Sequence, residues 1–309
     1  MEHEKVDREF RIMRALKDHT DFPVPTPYVL CEDPAVLETS FYIMSFVPGR
    51  IFSDPRLPSI PASQRGAYWS EATRTLARLH ATDFRAIGLG SYGKQGGYYA
   101  RNVRSWARLE RQQAQVRDVD TGEVVGSLER IDEQVNWFEK NEVEDRVCVF
   151  HGDFKFDNLV FHETEPRIVA VLDRELSTIG HPLADLAHFT QSFYWPYPYG
   201  FVNAPPDFDL AGIPSIEAVQ REYVETLARL VPQDSKLKME WPIEGWDYAV
   251  AFGMFRRAVI AQGIHARLFK RQANSTFAAQ RIVMKKVYND IVLHYVDQSK
   301  PQTASQPKL

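Results

Sequence analysis

Apolar positions recur along the chain in two rhythms. Val6, Phe10, Met13 and Leu16 lie near helical spacing and predict an amphipathic helix over residues 4–18. The proline-rich segment Phe22–Pro27 ends that helix and extends the chain. Apolar runs over Tyr28–Glu32 and Phe41–Phe46 predict two strands, the second continuous enough to read as buried, with a turn at residues 32–39. Val47-Pro48-Gly49-Arg50 breaks the pattern and marks a hinge. Helical spacing resumes over residues 62–82, where Tyr68, Trp69, Ala72, Leu76 and Leu79 form the stripe, and again over residues 98–116 and 127–141. Three short apolar runs follow, RVCVF (146–150), NLVF (158–161) and RIVAVL (167–172), and predict strands. Residues 192–206, dense in aromatics and proline, fit no regular element. Helices are predicted over residues 215–230, 244–269 and 274–295, the middle one apolar nearly all round its first half and hence buried.

The bulk numbers narrow the classes. With 309 residues, 44% hydrophobic and 25% charged, the chain can build one large or two modest cores. A net charge of −4 gives no sign of a nucleic-acid binder. There is no run of 18 apolar residues, so no membrane span is predicted. The charged start MEHEKVDREF is not a secretory leader; the cytosol is the expected compartment, or an organelle if the start is incomplete. Cys31 and Cys148 sit in apolar surroundings and are expected to be buried free thiols. Gly88–Gly97 is glycine-rich without phosphate-loop spacing and reads as a flexible connector. His80, near a helix end, reads as structural rather than as a ligand. Arg101, Arg104, Arg108 and Arg111 make either a solvated face or an anion contact. The polar tail from Asp297 reads as disordered.

The chemistry concentrates at the ends of the central strands. Asp153 and Asn158, five residues apart in HGDFKFDN, can be aimed by one loop at the same small volume. Asp173 follows a second apolar run and adds a hard anionic oxygen. A carboxylate can take the proton of an alcohol, and an amide oxygen and a carboxylate suit Mg²⁺, which keeps few protein ligands and leaves room for phosphates. That is the set phosphoryl transfer requires. Lys155, between them, either contacts phosphate or is solvated. Taken singly, Asp and Asn are common turn formers; their joint spacing is what carries weight. A metal-dependent hydrolase using the same acids would need more ligands, and no histidine-rich cluster accompanies them.

HGDFKFDN, VLDRE and GHPLADLAHF resemble the aminoglycoside phosphotransferase (APH)-like family of the protein-kinase-like superfamily. VDREFRIMRAL, FYIMSFVPG and LARLHA extend the likeness over nearly the whole chain, and RNVRSW is similar to the kinase-like domain fused to acyl-CoA dehydrogenases. The resemblance implies an α+β, two-lobed protein-kinase-like fold. Residues 1–47 would be a residual N-lobe, 48–296 a mainly helical C-lobe, and 297–309 a tail. It implies ATP and Mg²⁺ as cofactors and transfer of the γ-phosphoryl group to a small-molecule hydroxyl, a hydroxyacyl compound being suggested. An association with an acyl-CoA dehydrogenase is implied as well. Asp153 resembles the catalytic aspartate, Asn158 and Asp173 the metal ligands, and Asp185 a carboxylate supporting the catalytic loop. Ser45, Phe46 and Val47 would offer backbone groups to adenine, and Glu9 resembles the helix glutamate that pairs with a phosphate-binding lysine. Two departures stand out. Arg174 follows Asp173 where relatives often carry tryptophan, and the sequence begins at the glutamate helix, without the strands that bear the lysine. Lys5, one turn before Glu9 on the same helix, cannot replace that lysine. The expectation is therefore a truncated N-lobe, in a shortened form of a longer chain or in a catalytically inactive binding module. Residues 193–201 with Arg101 and Arg104 are the expected wall for the acceptor.

Overall fold

The computed structural model describes residues 2–272 and 278–299. In chain order the elements are α1 (Glu2–His19), β1 (Pro27–Cys31), α2 (Pro34–Leu37), β2 (Phe41–Met44), α3 (Ala62–Ala81), α4 (Tyr98–Ala114) and α5 (Ile131–Lys140). They continue with β3 (Cys148–Phe150), β4 (Leu159–Phe161), β5 (Ile168–Val171), β6 (Thr178–Gly180), α6 (Pro182–Phe189), α7 (Ile216–Leu230), α8 (Trp246–Phe269) and α9 (Ala278–Gln298). The chain forms two compact units, Met1–Tyr98 with Asp145–Glu244, and Tyr99–Glu144 with Gly245–Leu309.

In the first unit, α1 buries Met13 and Leu16 of its predicted stripe and Ile12 beside them, while Val6 and Phe10 are only half-buried. β1 and β2 pair antiparallel, and the turn between them holds the short α2, capped by the Asp33 carboxylate accepting from the Ala35 N–H. The buried reading of residues 41–46 fails: Ile43 and Met44 are exposed and Phe46 is 89% exposed. Among the described residues β2 has only β1 beside it, so its outward side chains meet solvent. Past the hinge, Arg50 and Phe161 exchange backbone hydrogen bonds at 2.8 Å, tying the hinge to β4. Gly49 permits that approach, since a Cβ there would lie 2.3 Å from the Phe161 carbonyl oxygen.

α3 packs against α7, whose first turn is capped by the Ser215 hydroxyl accepting from the Ala218 N–H. The three apolar runs form strands as predicted; β4 pairs with β5, whereas β3 pairs with β6, a strand too short to show a period in the sequence. α6 also escapes sequence reading, its eight residues being apolar on almost every face. Trp69 of α3 lies 4.8 Å from Phe156, 5.1 Å from Phe189 and 5.3 Å from Phe193, ring centre to ring centre. This aromatic cluster fixes the 154–158 loop from beneath. The glycine-rich segment is pinned rather than loose. Tyr92 is buried, its carbonyl accepts from Arg8 at 2.8 Å, and Gly93 runs close against Thr178 and Ile179. Cys148 is buried as expected, while Cys31 is only partly so, and both are free thiols.

The second unit is helical, with α8 packed on α9. Its core is aromatic: Trp137, Phe138, Tyr248 and Phe252 meet mostly edge to face. The first half of α8 is buried at Tyr248–Phe252, as its all-round apolar character predicts. The predicted start of the last helix at residue 274 lies outside the described residues; of the tail expected to be disordered from Asp297, Asp297 and Gln298 instead continue α9, and the residues beyond 299 lie outside the described ones. Among the described residues no helix is long and apolar enough to cross a membrane.

Candidate active site

β3 runs out into His151-Gly152-Asp153, and the loop returns through a short 3₁₀ turn at Phe156–Asn158 into β4. Two devices shape this loop. Gly152 adopts φ +91°, and a Cβ there would lie 2.7 Å from the Leu176 carbonyl oxygen, so glycine is required. The buried Asp185 carboxylate of α6 accepts from the backbone N–H of His151 at 2.6 Å and of Gly152 at 2.9 Å. The His80 ring stands 3.2 Å from the same carboxylate and 2.6 Å from the Tyr223 hydroxyl, which confirms His80 as structural. Burial works to raise the Asp185 pKa, but the His80 hydrogen bond and neighbouring histidines outweigh it and hold the carboxyl below its ordinary value. His151 is held neutral. Its Nδ1 accepts from the Asp153 N–H at 3.2 Å and its Nε2 donates to the Leu172 carbonyl at 3.0 Å. Burial, and then the Arg174 charge, push its pKa down to about 3.

Asp153 is contacted from three sides. His188 Nε2 lies 2.9 Å from Oδ1; Lys155 Nζ and Asn158 Nδ2 lie 3.2 Å and 3.1 Å from Oδ2. Burial acts to raise its pKa, but the His188 hydrogen bond and charge, then Lys155, prevail and hold the carboxyl well below the usual range. Asn158 also donates to the Asp153 carbonyl at 2.8 Å. With its amide nitrogen so engaged, the amide oxygen is the atom left to meet a cation. Lys155 pairs with Asp157 as well, at 3.2 Å, so it is neither freely solvated nor uncommitted.

Asp173 follows β5 in the left-handed region, at φ +59°. It accepts no hydrogen bond among the described residues, and burial followed by the charges of Asp153, Glu175 and Glu9 raises its pKa. A carboxylate that lacks donors and faces other carboxylates fits a cation beside it. No three His, Cys, Asp or Glu side chains among the described residues could hold a metal by themselves. The donor set therefore suits an ion that takes one amide oxygen, one or two carboxylates and ligand oxygens.

Glu9 accepts from the Arg174 backbone N–H at 3.0 Å, which ties α1 to the Asp173 segment. The Tyr42 hydroxyl of β2 faces the Glu9 carboxylate, and burial and that carboxylate raise the tyrosine pKa. The Arg174 side chain is 1% exposed, with all three guanidinium nitrogens lacking hydrogen-bond partners, and burial lowers its pKa to about 10. At the hinge, the Ser45 N–H is committed to the Thr26 carbonyl at 2.9 Å, whereas the backbone groups of Phe46 and Val47 make no hydrogen bond among the described residues. Residues 193–201 belong to the first unit and Arg101 and Arg104 to the second.

Sequence reasoning brought Asp153, Asn158, Asp173, Lys155 and Asp185 to this region but missed His188 and Tyr42. A signal for His188 exists. It stands three residues after Asp185 on α6, so one helix face supports the loop backbone and grips the Asp153 side chain.

Residues 2–211 match the family model described as the phosphotransferase enzyme family, APH. Mouse acyl-CoA dehydrogenase family member 10 is 37% identical over 278 residues, covering 89% of this chain and 24% of the mouse protein. The chain thus spans about a quarter to a third of the length of the curated relatives it matches. A candidate aminoglycoside phosphotransferase from Ralstonia eutropha JMP134, solved by crystallography, is 34% identical with a TM-score of 0.80, covering 96% of this chain and 84% of that one. Aminoglycoside phosphotransferase APH(2'')-Ib, solved with ADP bound, shares the fold at 12% identity with a TM-score of 0.57, covering 94% of this chain and 84% of that one.

Proposed function

The chain belongs to the phosphotransferase enzyme family, with a protein-kinase-like fold, and on that premise we propose that it moves the γ-phosphoryl group of ATP to a hydroxyl of a small molecule. The observation that carries this reading is the grip on Asp153 by His188, Asn158 and Lys155, with the hydrogen-bond-free Asp173 as its electrostatic neighbour. Asp153 takes the role of the group that orients the acceptor hydroxyl and receives its proton. With its pKa held low it is a weak base, which suits a reaction governed by positioning and charge neutralisation more than by proton abstraction. The Asn158 oxygen and Asp173 would hold Mg²⁺. When bound, that ion neutralises charge on the transferring phosphate. Phe46 and Val47 would supply backbone hydrogen bonds to adenine, and Lys155 a charge beside the phosphates. The acceptor would be a hydroxyacyl compound, and an acyl-CoA dehydrogenase the functional associate. The association rests on the mouse relative's name, and the acceptor class on the likeness to kinase-like domains fused to such dehydrogenases.

A second reading is a nucleotide-binding module without turnover. It is favoured by Glu9, whose carboxylate accepts the Arg174 backbone N–H with no lysine reaching it among the described residues. One experiment separates the two. Calorimetry with Mg²⁺ and ADP reports binding, and consumption of Mg²⁺-ATP over a panel of hydroxylated acceptors reports transfer. The enzyme reading expects both, with transfer lost and binding kept in Asp153→Asn. Binding without transfer to any acceptor favours the module, and absence of both overturns the proposal.

A further inference from the structure

The second unit carries a charged groove to which the phosphotransfer proposed above assigns no residue role. It lies between α4 and α5, has a volume of about 640 Å³, and is lined by Arg104, Arg108 and Arg111 on one side and by Val135 and Glu139 on the other, with Ala107 in its floor. The three arginines are exposed. Arg104 and Arg108 have no acidic partner within ion-pair distance among the described residues, and Arg111 pairs only with the exposed Asp132, at 2.9 Å. The one acid of α4, Glu110, cannot neutralise them. It is fully buried on another face, accepting from the Leu128 N–H at 2.8 Å and from Gln262 at 3.0 Å. Like charges three and four residues apart on one helix repel. A chain with a net charge of −4 nonetheless concentrates cations here.

We propose that the α4–α5 groove binds a small organic phosphate bearing two phosphoryl groups. The row from Arg104 to Arg111 spans seven residues, about 10 Å of helix, enough for two phosphoryl groups. Guanidinium forks match phosphate oxygens in pairs, which lysines would not do. Ala107 and Val135 give the carbon skeleton an apolar seat. The volume falls in the range of small-ligand sites, whereas a protein partner would need a far larger complementary face.

The test is calorimetry on the full chain in EDTA and low salt, with inorganic pyrophosphate as the minimal probe and ADP and fructose 1,6-bisphosphate as nucleotide and sugar sources. Pyrophosphate is expected to bind more weakly as salt rises, and one organic phosphate is expected to bind at least fivefold tighter than it. Each affinity is expected to fall tenfold or more in Arg104→Glu/Arg108→Glu. Arg104→Gln/Arg108→Gln, which leaves the exposed face uncharged, is expected to give the same loss with unchanged circular dichroism. Binding of pyrophosphate or fructose 1,6-bisphosphate that survives both variants belongs elsewhere and overturns the assignment. So does binding of pyrophosphate with neither organic phosphate tighter, or tighter binding of polyglutamate than of any phosphate. Metal-free conditions and the choice of variants keep this outcome separate from that of the phosphotransferase reading.

Discussion

Replacing Asp185 with alanine should loosen the loop that carries Asp153 without touching any reacting group. The Asp185 carboxylate is fully buried and accepts from two backbone N–H groups, at 2.6 and 2.9 Å, with His80 at 3.2 Å. Truncation leaves these donors in a site closed to water. Each orphaned donor costs about 1–3 kcal/mol, and breaking a buried charge-paired contact costs about 3–5 kcal/mol in measured cases. The loop should therefore lose about 3–5 kcal/mol, the lower figure if a water enters the gap. The readout is hydrogen exchange followed by mass spectrometry on peptides covering residues 148–158. A local loss of about 3 kcal/mol speeds exchange at His151 and Gly152 by about two orders of magnitude. Peptides from α8 should not change. Asp185→Asn, which keeps one acceptor oxygen, should fall between wild type and alanine. If exchange at residues 151 and 152 is unchanged in Asp185→Ala, the carboxylate does not hold the loop and the support argument fails.

Four further outcomes follow from the same geometry. Asp153→Asn should lower kcat by about 10²–10⁴-fold with little effect on the KM for ATP, as steady-state kinetics with any acceptor found would show. His151 is neutral when folded, with a pKa near 3 against 6.5 in an exposed imidazole, so the folded state binds fewer protons than the unfolded one. Stability should be whole above about pH 6.5 and fall by up to about 1.4 kcal/mol per pH unit toward pH 3; urea midpoints at several pH values should slope less steeply in His151→Gln, and equal slopes would contradict the assignment. Arg174→Met removes a buried guanidinium without hydrogen-bond partners, so unfolding temperature should hold or rise, by the equivalent of about 0–4 kcal/mol; a clear drop would show that Arg174 has acceptors after all. Gly49→Ala must push the hinge off the Phe161 carbonyl and should cost about 1–3 kcal/mol in denaturant titration, an unchanged midpoint showing that the hinge yields freely.

Much of the site was legible because its parts are local. Asp153 and Asn158 share one loop, Asp173 ends the next long apolar run, and spacing alone places each of them at a strand end. The longer helices were legible for the same reason: a stripe such as Tyr68–Leu79 needs only neighbours along the chain to declare itself. β6 and α6 were not. A three-residue strand has no period to read, and an eight-residue helix buried on nearly every face shows no amphipathic contrast. The exposed face of β2 misled in the opposite direction, since an apolar run records what residues could bury and not whether a neighbour arrives.

The least legible features are those in which one side chain meets another across long stretches of sequence, and they govern the electrostatics of the site. Tyr42 reaches Glu9 from a different element, and His188 reaches Asp153 from 35 positions away. Their effects have opposite sign. His188 and Lys155 stabilise the charge on Asp153, whereas Asp173, without donors and facing like charges, is destabilised as an anion. Two carboxylates on neighbouring strand ends are thereby driven apart in acidity, the usual mark of separate tasks. The one held low is fixed in orientation by its three partners and suits an acceptor hydroxyl. The one held high gains most from a cation. The opposite acidities of Asp153 and Asp173 follow from their neighbours, which is why the residue types alone could suggest the pair but not what separates them.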